Sequence, residues 1–128
     1  MTSRSFLVSG LFLLLLAVAL GAFGAHALKA VLSDQQLQVW RTANDYQFYH
    51  ALGLVGLGIW AQSQPSSGWI TLCGYSLLLG VVLFSGSLYV MLLSGMSALG
   101  MITPLGGVLF MLGWLCWLVA VFRQPQSS

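Results

Sequence analysis

The chain has 128 residues, 59% of them hydrophobic and only 5% charged, and its mean hydropathy is +0.93. Soluble domains are roughly one-quarter charged, so four cations and two acids could not cover a water-facing surface of this size. The net charge of +2 rests on the scattered Arg4, Lys29, Arg41 and Arg123, which excludes a nucleic-acid footprint, and the polar stretches are too short for a separate soluble catalytic domain.

Residues 5–25 form the first apolar run. It is long enough for a spanning helix, which needs roughly 20 such residues. Arg4 before it and Ala25-His26-Ala27 after it also suit a cleavable signal peptide, but the run exceeds the usual signal core. Ala17, Gly21 and Ala25 recur every fourth residue. They make a stripe where a second helix could approach closely, although an Ala/Gly-rich helix gives the same pattern by chance.

Residues 26–45 are the main polar connection and hold Lys29, Asp34, Arg41 and Asp45. Ser33 followed by Gln36 fits a capping box, which starts a helix near Asp34. No proline intervenes before Trp60, so one long helix is expected over 34–62. Its first part would lie in the membrane interface and its second part, 46–62, would cross the bilayer. Arg41 and Asp45 are four apart and within reach of pairing. The stretch 62–68, with Pro65, three serines and Gly68, reads as a loop. Trp60 and Trp69 flank it as an interfacial aromatic belt would. The third run covers 69–93 and the fourth 104–122. Thr103 is expected as the N-cap of the last helix and Pro104 as its first residue.

The fold class that follows is all-α. It is a polytopic membrane protein, a four-helix transmembrane bundle with an interfacial helical extension before the second helix. Residues 1–128 form a single membrane domain, with both termini on one side of the bilayer. Lys and Arg are tied, two on each side. Both acids, Asp34 and Asp45, offset the cations opposite the termini, which points to cytoplasmic termini.

Antiparallel crossings bring the polar residues to one membrane face. His26 ends the first helix, and Asn44, Asp45, Tyr46, Gln47 and His50 enter the second. Ser85, Ser87 and Tyr89 lie near the exit of the third, and Thr103 opens the fourth. The opposite face holds Trp60, Trp69, Trp114 and Trp117. Asn44, Gln47 and His50 share one helix row, and Tyr46 and His50 are four apart. Polar groups in hydrocarbon need partners. The candidates across the bundle are His26, Ser85, Ser87 and Tyr89, with interhelical bonds worth about 1 kcal/mol each.

Three readings of this cluster stay open. The first, which is preferred, is a structural clasp that sets helix register. The second is a small-ligand or proton site working through His26 and His50, because intramembrane ionisable residues suggest function. The third is a metal or haem site with His26 and His50 as ligands, and Asp45 as a poor third donor. No His-x-x-x-His or Cys-x-x-Cys supports that third reading, and no nucleophile–base pair suggests an enzyme. No cofactor is expected. Cys73 and Cys116 lie in apolar runs and read as small packing residues. Gly53, Gly56, Gly80, Gly86, Gly106, Gly107 and Gly113 are expected at close helix contacts, alongside the Ala17, Gly21 and Ala25 stripe. The expected partners are the lipid bilayer and a membrane protein or a second copy.

Four ordered motifs span nearly the whole chain. They are Gly21-Ala22-Phe23-Gly24-Ala25-His26-Ala27-Leu28-Lys29; Thr42-Ala43, Tyr46-Gln47 and His50-Ala51-Leu52; Phe84-Ser85-Gly86-Ser87-Leu88-Tyr89; and Thr103-Pro104-Leu105-Gly106-Gly107. Together they closely resemble the bacterial YgdD/YwdK-like inner-membrane proteins, catalogued as a domain of unknown function, to which a eukaryotic transmembrane protein family is similar. The resemblance implies a multi-pass protein of the bacterial inner membrane and implies no activity.

Overall fold

In the computed structural model, residues 2–125 are described. Five α-helices and three short irregular turns account for almost all of them. The helix α1 spans Ser3–His26, and Thr2 caps it by accepting the Ser5 amide. A 3-10 turn at Leu28–Ala30 follows. The helix α2 then runs without a break over Asp34–Ala61. Its capping box is complete: Gln36 N–H donates to Ser33 Oγ at 3.1 Å, and Ser33 N–H donates to Gln36 Oε1 at 2.9 Å.

After the loop at 62–67, Ser67 accepts the Trp69 amide and α3 runs over Gly68–Val81. A π turn at Val82–Gly86 joins it to α4, Ser87–Ser94. The third run is therefore one rod with a bulge, which hydropathy alone does not reveal. Gly95 ends it at φ 77°, a left-handed conformation that suits glycine. A 3-10 turn at Ser97–Met101 leads into α5, Thr103–Arg123. Ile102, not Thr103, occupies the N-cap of α5, so Thr103 is the first helical residue and Pro104 the second. The hydroxyl of Thr103 is engaged elsewhere, as described below.

These elements pack as two antiparallel pairs. The first is α1 on α2, and the second is the α3–α4 rod on α5. Contacts from α2 to α3, the π turn and α4 join the pairs, whereas the α5 backbone lies against α3 and the π turn and reaches α2 through its side chains. Two apolar clusters anchor the ends. Near the termini, Phe6, Leu54, Leu57, Cys73, Leu77 and Cys116 pack together. At the other end, Leu28, Leu37, Trp40, Ala43, Leu88 and Tyr89 form the second cluster. The first turns of α2 thus carry a buried stripe in addition to their polar face. Arg41 and Asp45 are both exposed, and no ion pair joins them.

The outward surface is studded with large apolar side chains such as Leu15, Leu52, Val82, Met111 and Phe122. A soluble monomer rarely exposes so much contiguous apolar surface. The rods Ser3–His26, Gly68–Ser94 and Ser97–Arg123 are each long and apolar enough to cross a membrane. The fourth, α2, differs: its first turns expose polar residues such as Gln35, Gln38, Arg41 and Asp45, and it buries Asn44, Gln47 and His50.

Candidate functional site

Three residues on one row of α2 build the site. Trp40, Asn44 and Gln47 sit at steps of four and three, the spacing of one helix face. Each donates to a main-chain carbonyl of α1. Trp40 Nε1 donates to Leu20 O at 2.9 Å, Asn44 Nδ2 to Ala17 O at 2.8 Å, and Gln47 Nε2 to Leu13 O at 2.9 Å. The acceptors step back by three and four as the donors step forward, so the three bonds hold a single antiparallel register. Each carbonyl has a second lone pair, so the bonds to α1 leave its own ladder intact.

Tyr89 on α4 closes the circuit. Its O–H donates to Gln47 Oε1 at 2.7 Å and its oxygen accepts from Asn44 Nδ2 at 3.2 Å. Ser85 Oγ donates to Ala43 O at 2.6 Å and ties the π turn to the same stretch of α2. Ser87 Oγ donates to the Phe84 carbonyl at 3.0 Å and lies 2.6 Å from Thr103 Oγ1, which links α4 to α5. A π turn offsets the carbonyls of its neighbours, and Ser87 satisfies one of them. No fully buried side-chain nitrogen or oxygen among the described residues lacks a partner.

Small residues allow this approach. A Cβ on Gly24 would strike the Trp40 indole, and one on Gly21 would come within 2.8 Å of Asn44 Oδ1. Further along the seam, Gly10 lies on Ala51 O and Gly58 on the Leu7 backbone. Ala17 is fully buried on this seam. Ala25, expected on the same stripe, is exposed. The seam follows Gly10, Ala17, Gly21 and Gly24, a mixed three-and-four step that a strict four-residue repeat misses.

The remaining glycines divide. Gly53 and Gly56 lie against Trp114 and Trp117, Gly80 against Phe110, and Gly106 against the Phe84 backbone. Gly86 and Gly107 are not contact glycines, since a Cβ on either would meet nothing nearer than 4.0 Å. Gly113 lies beneath Leu77, a close contact as expected, and Gly74, beneath the Phe6 ring, is a packing position that the sequence did not single out.

His50 belongs to a different environment from the clasp. Its Nδ1 is 2.7 Å from the Tyr46 carbonyl. Its ring stacks on Phe110 with centroids 3.5 Å apart and planes 9° from parallel. Trp114 lies at 5.6 Å and Tyr46 at 5.9 Å. Tyr46 stacks in turn on Phe84 at 4.7 Å. Trp114 continues to Trp117 and Trp60, so a column of rings bridges α2 and α5. Trp114 therefore joins the histidine rather than a separate aromatic belt.

His26 is not brought into this site. It is exposed at the end of α1, next to Gly24 and therefore at the level of Trp40. His50 lies ten residues further along α2, roughly 15 Å at the helical rise. Asp45 is exposed as well. Among the described residues, no group of three or more His, Cys, Asp or Glu side chains is placed to hold a metal. Trp40 was missed as a clasp member, although it sits four residues before Asn44 on the same row.

Taken together, the apolar rods, the internally satisfied polar row and the lipid-like exterior define an all-helical, multi-pass membrane protein. The chain belongs to the family described as "Protein of unknown function (DUF423)", which it matches over residues 20–107. It is 46% identical to "UPF0382 membrane protein YwdK" of Bacillus subtilis over 94% of this chain and 98% of that protein. It is 44% identical to "UPF0382 membrane protein SH2409" of Staphylococcus haemolyticus, over 94% of this chain and 97% of that protein. No solved structure matches the chain.

Proposed function

We propose that this is a non-enzymatic protein of the bacterial inner membrane that acts by presenting a rigid helical unit to a membrane partner, either another protein or a second copy. The observation that carries the reading is the three-bond register between α2 and α1, closed by Tyr89. The row of Asn44 and Gln47 spends its donors on helix carbonyls and on Tyr89, which is what a clasp requires. The spans of this reading are α1, the part of α2 from Tyr46 onward, the α3–α4 rod and α5, within one membrane domain and with cytoplasmic termini. The preceding turns of α2 lie at the interface, where their exposed glutamines and charges meet water or headgroups.

The clasp is tested by Asn44→Leu and Gln47→Leu in protein purified in dodecyl maltoside. Interhelical hydrogen bonds in membranes are worth about 0.6–2 kcal/mol each. Each variant should lower the melting temperature by several degrees, and no added ion or small molecule should restore it. Wild-type melting in both variants, or rescue by a metal ion, would refute the clasp.

A further inference from the structure

His50 leaves one ring nitrogen unused. The residue is only 6% exposed, and its Nδ1 is bonded to the Tyr46 carbonyl. A carbonyl only accepts, so Nδ1 carries the proton and Nε2 holds a lone pair. No donor among the described residues reaches Nε2. Fully buried polar side-chain atoms all have partners, so this edge of the ring is reached from outside. It borders a groove of about 400 Å³ between α2, the π turn and α5.

The groove has a cause in the packing. Since α5 packs on α3 and the π turn, its backbone stands away from α2. Rings span the gap: Tyr46 from α2, Phe84 from the π turn, and Phe110 and Trp114 from α5. Gly107 leaves the α5 wall open, since a Cβ there would meet nothing closer than 4.0 Å. The volume falls within the ordinary range of small-molecule sites. A buried acceptor in an aromatic-walled groove, at a depth where water is scarce, selects for a ligand that supplies one donor and one flat apolar body. A lipid tail could fill the space but brings no donor.

We propose that this groove binds a membrane-dissolved aromatic molecule bearing a hydroxyl, a phenol or hydroquinone, whose O–H donates to His50 Nε2 while its ring lies among Tyr46, Phe84 and Trp114. The site is separate from the α1–α2 clasp, and either can fail without the other.

The experiment uses the full chain in dodecyl maltoside, labelled with ¹⁵N-histidine and carrying His26→Asn so that one histidine remains. The probe is 1-naphthol, and 1-methoxynaphthalene is the same ring system without a donor. The expected result is a saturable shift of the Nε2 resonance with 1-naphthol, with the ether binding at least tenfold more weakly. Gly107→Leu, which fills the groove without touching His50, should abolish the shift while melting stays as in the parent. If that variant does not fold, Met111→Trp fills the same groove from an exposed position. An equal response to both probes, a shift that survives the groove-filling variant, or no shift at all overturns the proposal. So does an Nε2 resonance already at its hydrogen-bonded position before any probe is added, which would mean that another donor, such as a second copy's side chain, occupies the place.

Discussion

Tyr89 is the residue on which the clasp turns, because its single hydroxyl both accepts from Asn44 and donates to Gln47. Tyr89→Phe keeps the ring against Trp40, 4.6 Å away, and removes only the oxygen. Gln47 Oε1 is then left without its donor in a site that is nearly sealed. We expect a loss of about 1 kcal/mol. In a double-mutant cycle with Gln47→Leu, measured by thermal melting, the two losses should fall short of adding, because each variant breaks the same bond. Strict additivity would show the bond to be energetically silent. The row of Asn44, Gln47 and His50 was legible in the sequence from spacing alone. What spacing did not reveal is that the row divides. Asn44 and Gln47 turn to α1, while His50, one position round the helix, meets the aromatic column. Nor could it show that the acceptors would be carbonyls, since every helix residue carries one and sequence does not mark which are approached.

At the scale of elements, the helices are held apart or together by what their glycines allow. A Cβ on Gly58 would sit 2.8 Å from the Leu7 backbone nitrogen, and one on Gly106 would strike the Phe84 backbone nitrogen. Backbone cannot swing aside as a side chain can, so whole helices would have to part. Gly58→Ala and Gly106→Ala should each cost about 2 kcal/mol or more, as overpacking of a tight core does. Gly107→Ala, one position from Gly106 but facing open space, should leave melting unchanged or raise it slightly, because alanine favours helix. Equal losses at Gly106 and Gly107 would mean that the α5 contact is not where the backbone places it. The serines of this rod divide in the same way: Ser85, in the π turn, reaches α2, while Ser87, two positions on, reaches α5, because residues two apart on a helix face different neighbours.

For the whole molecule, the helix ends are paired as antiparallel crossings demand. Thr2 and Ser3 lie beside the 62–67 loop, and Arg123 sits over the Trp69 ring at 5.7 Å. Ser87 meets Thr103 at the opposite end. Cytoplasmic termini predict that a fluorescent protein fused at either terminus matures, and that alkaline phosphatase fused there is inactive. The same phosphatase inserted in the 95–102 connection should be active. The reverse pattern would invert the orientation that Asp34 and Asp45 favoured.

Composition, apolar run lengths and turn residues by themselves determined the membrane class, the count of long helices, the unbroken α2 and its capping box. These are local or additive properties: a helix of roughly 20 apolar residues has one stable place, and a serine three residues before a glutamine caps whatever follows. Tertiary structure alone decided which glycines touch a neighbour, that His26 stays outside while Trp40 joins the clasp, and that α5 leans on α3 and leaves a groove beside His50. Those outcomes depend on the relative rotation of rods of which three, α1, the α3–α4 rod and α5, are apolar along their outer surfaces. In lipid no hydrophobic stripe marks the inward face, so rotation is set by a few hydrogen bonds and by where a missing Cβ lets two backbones meet.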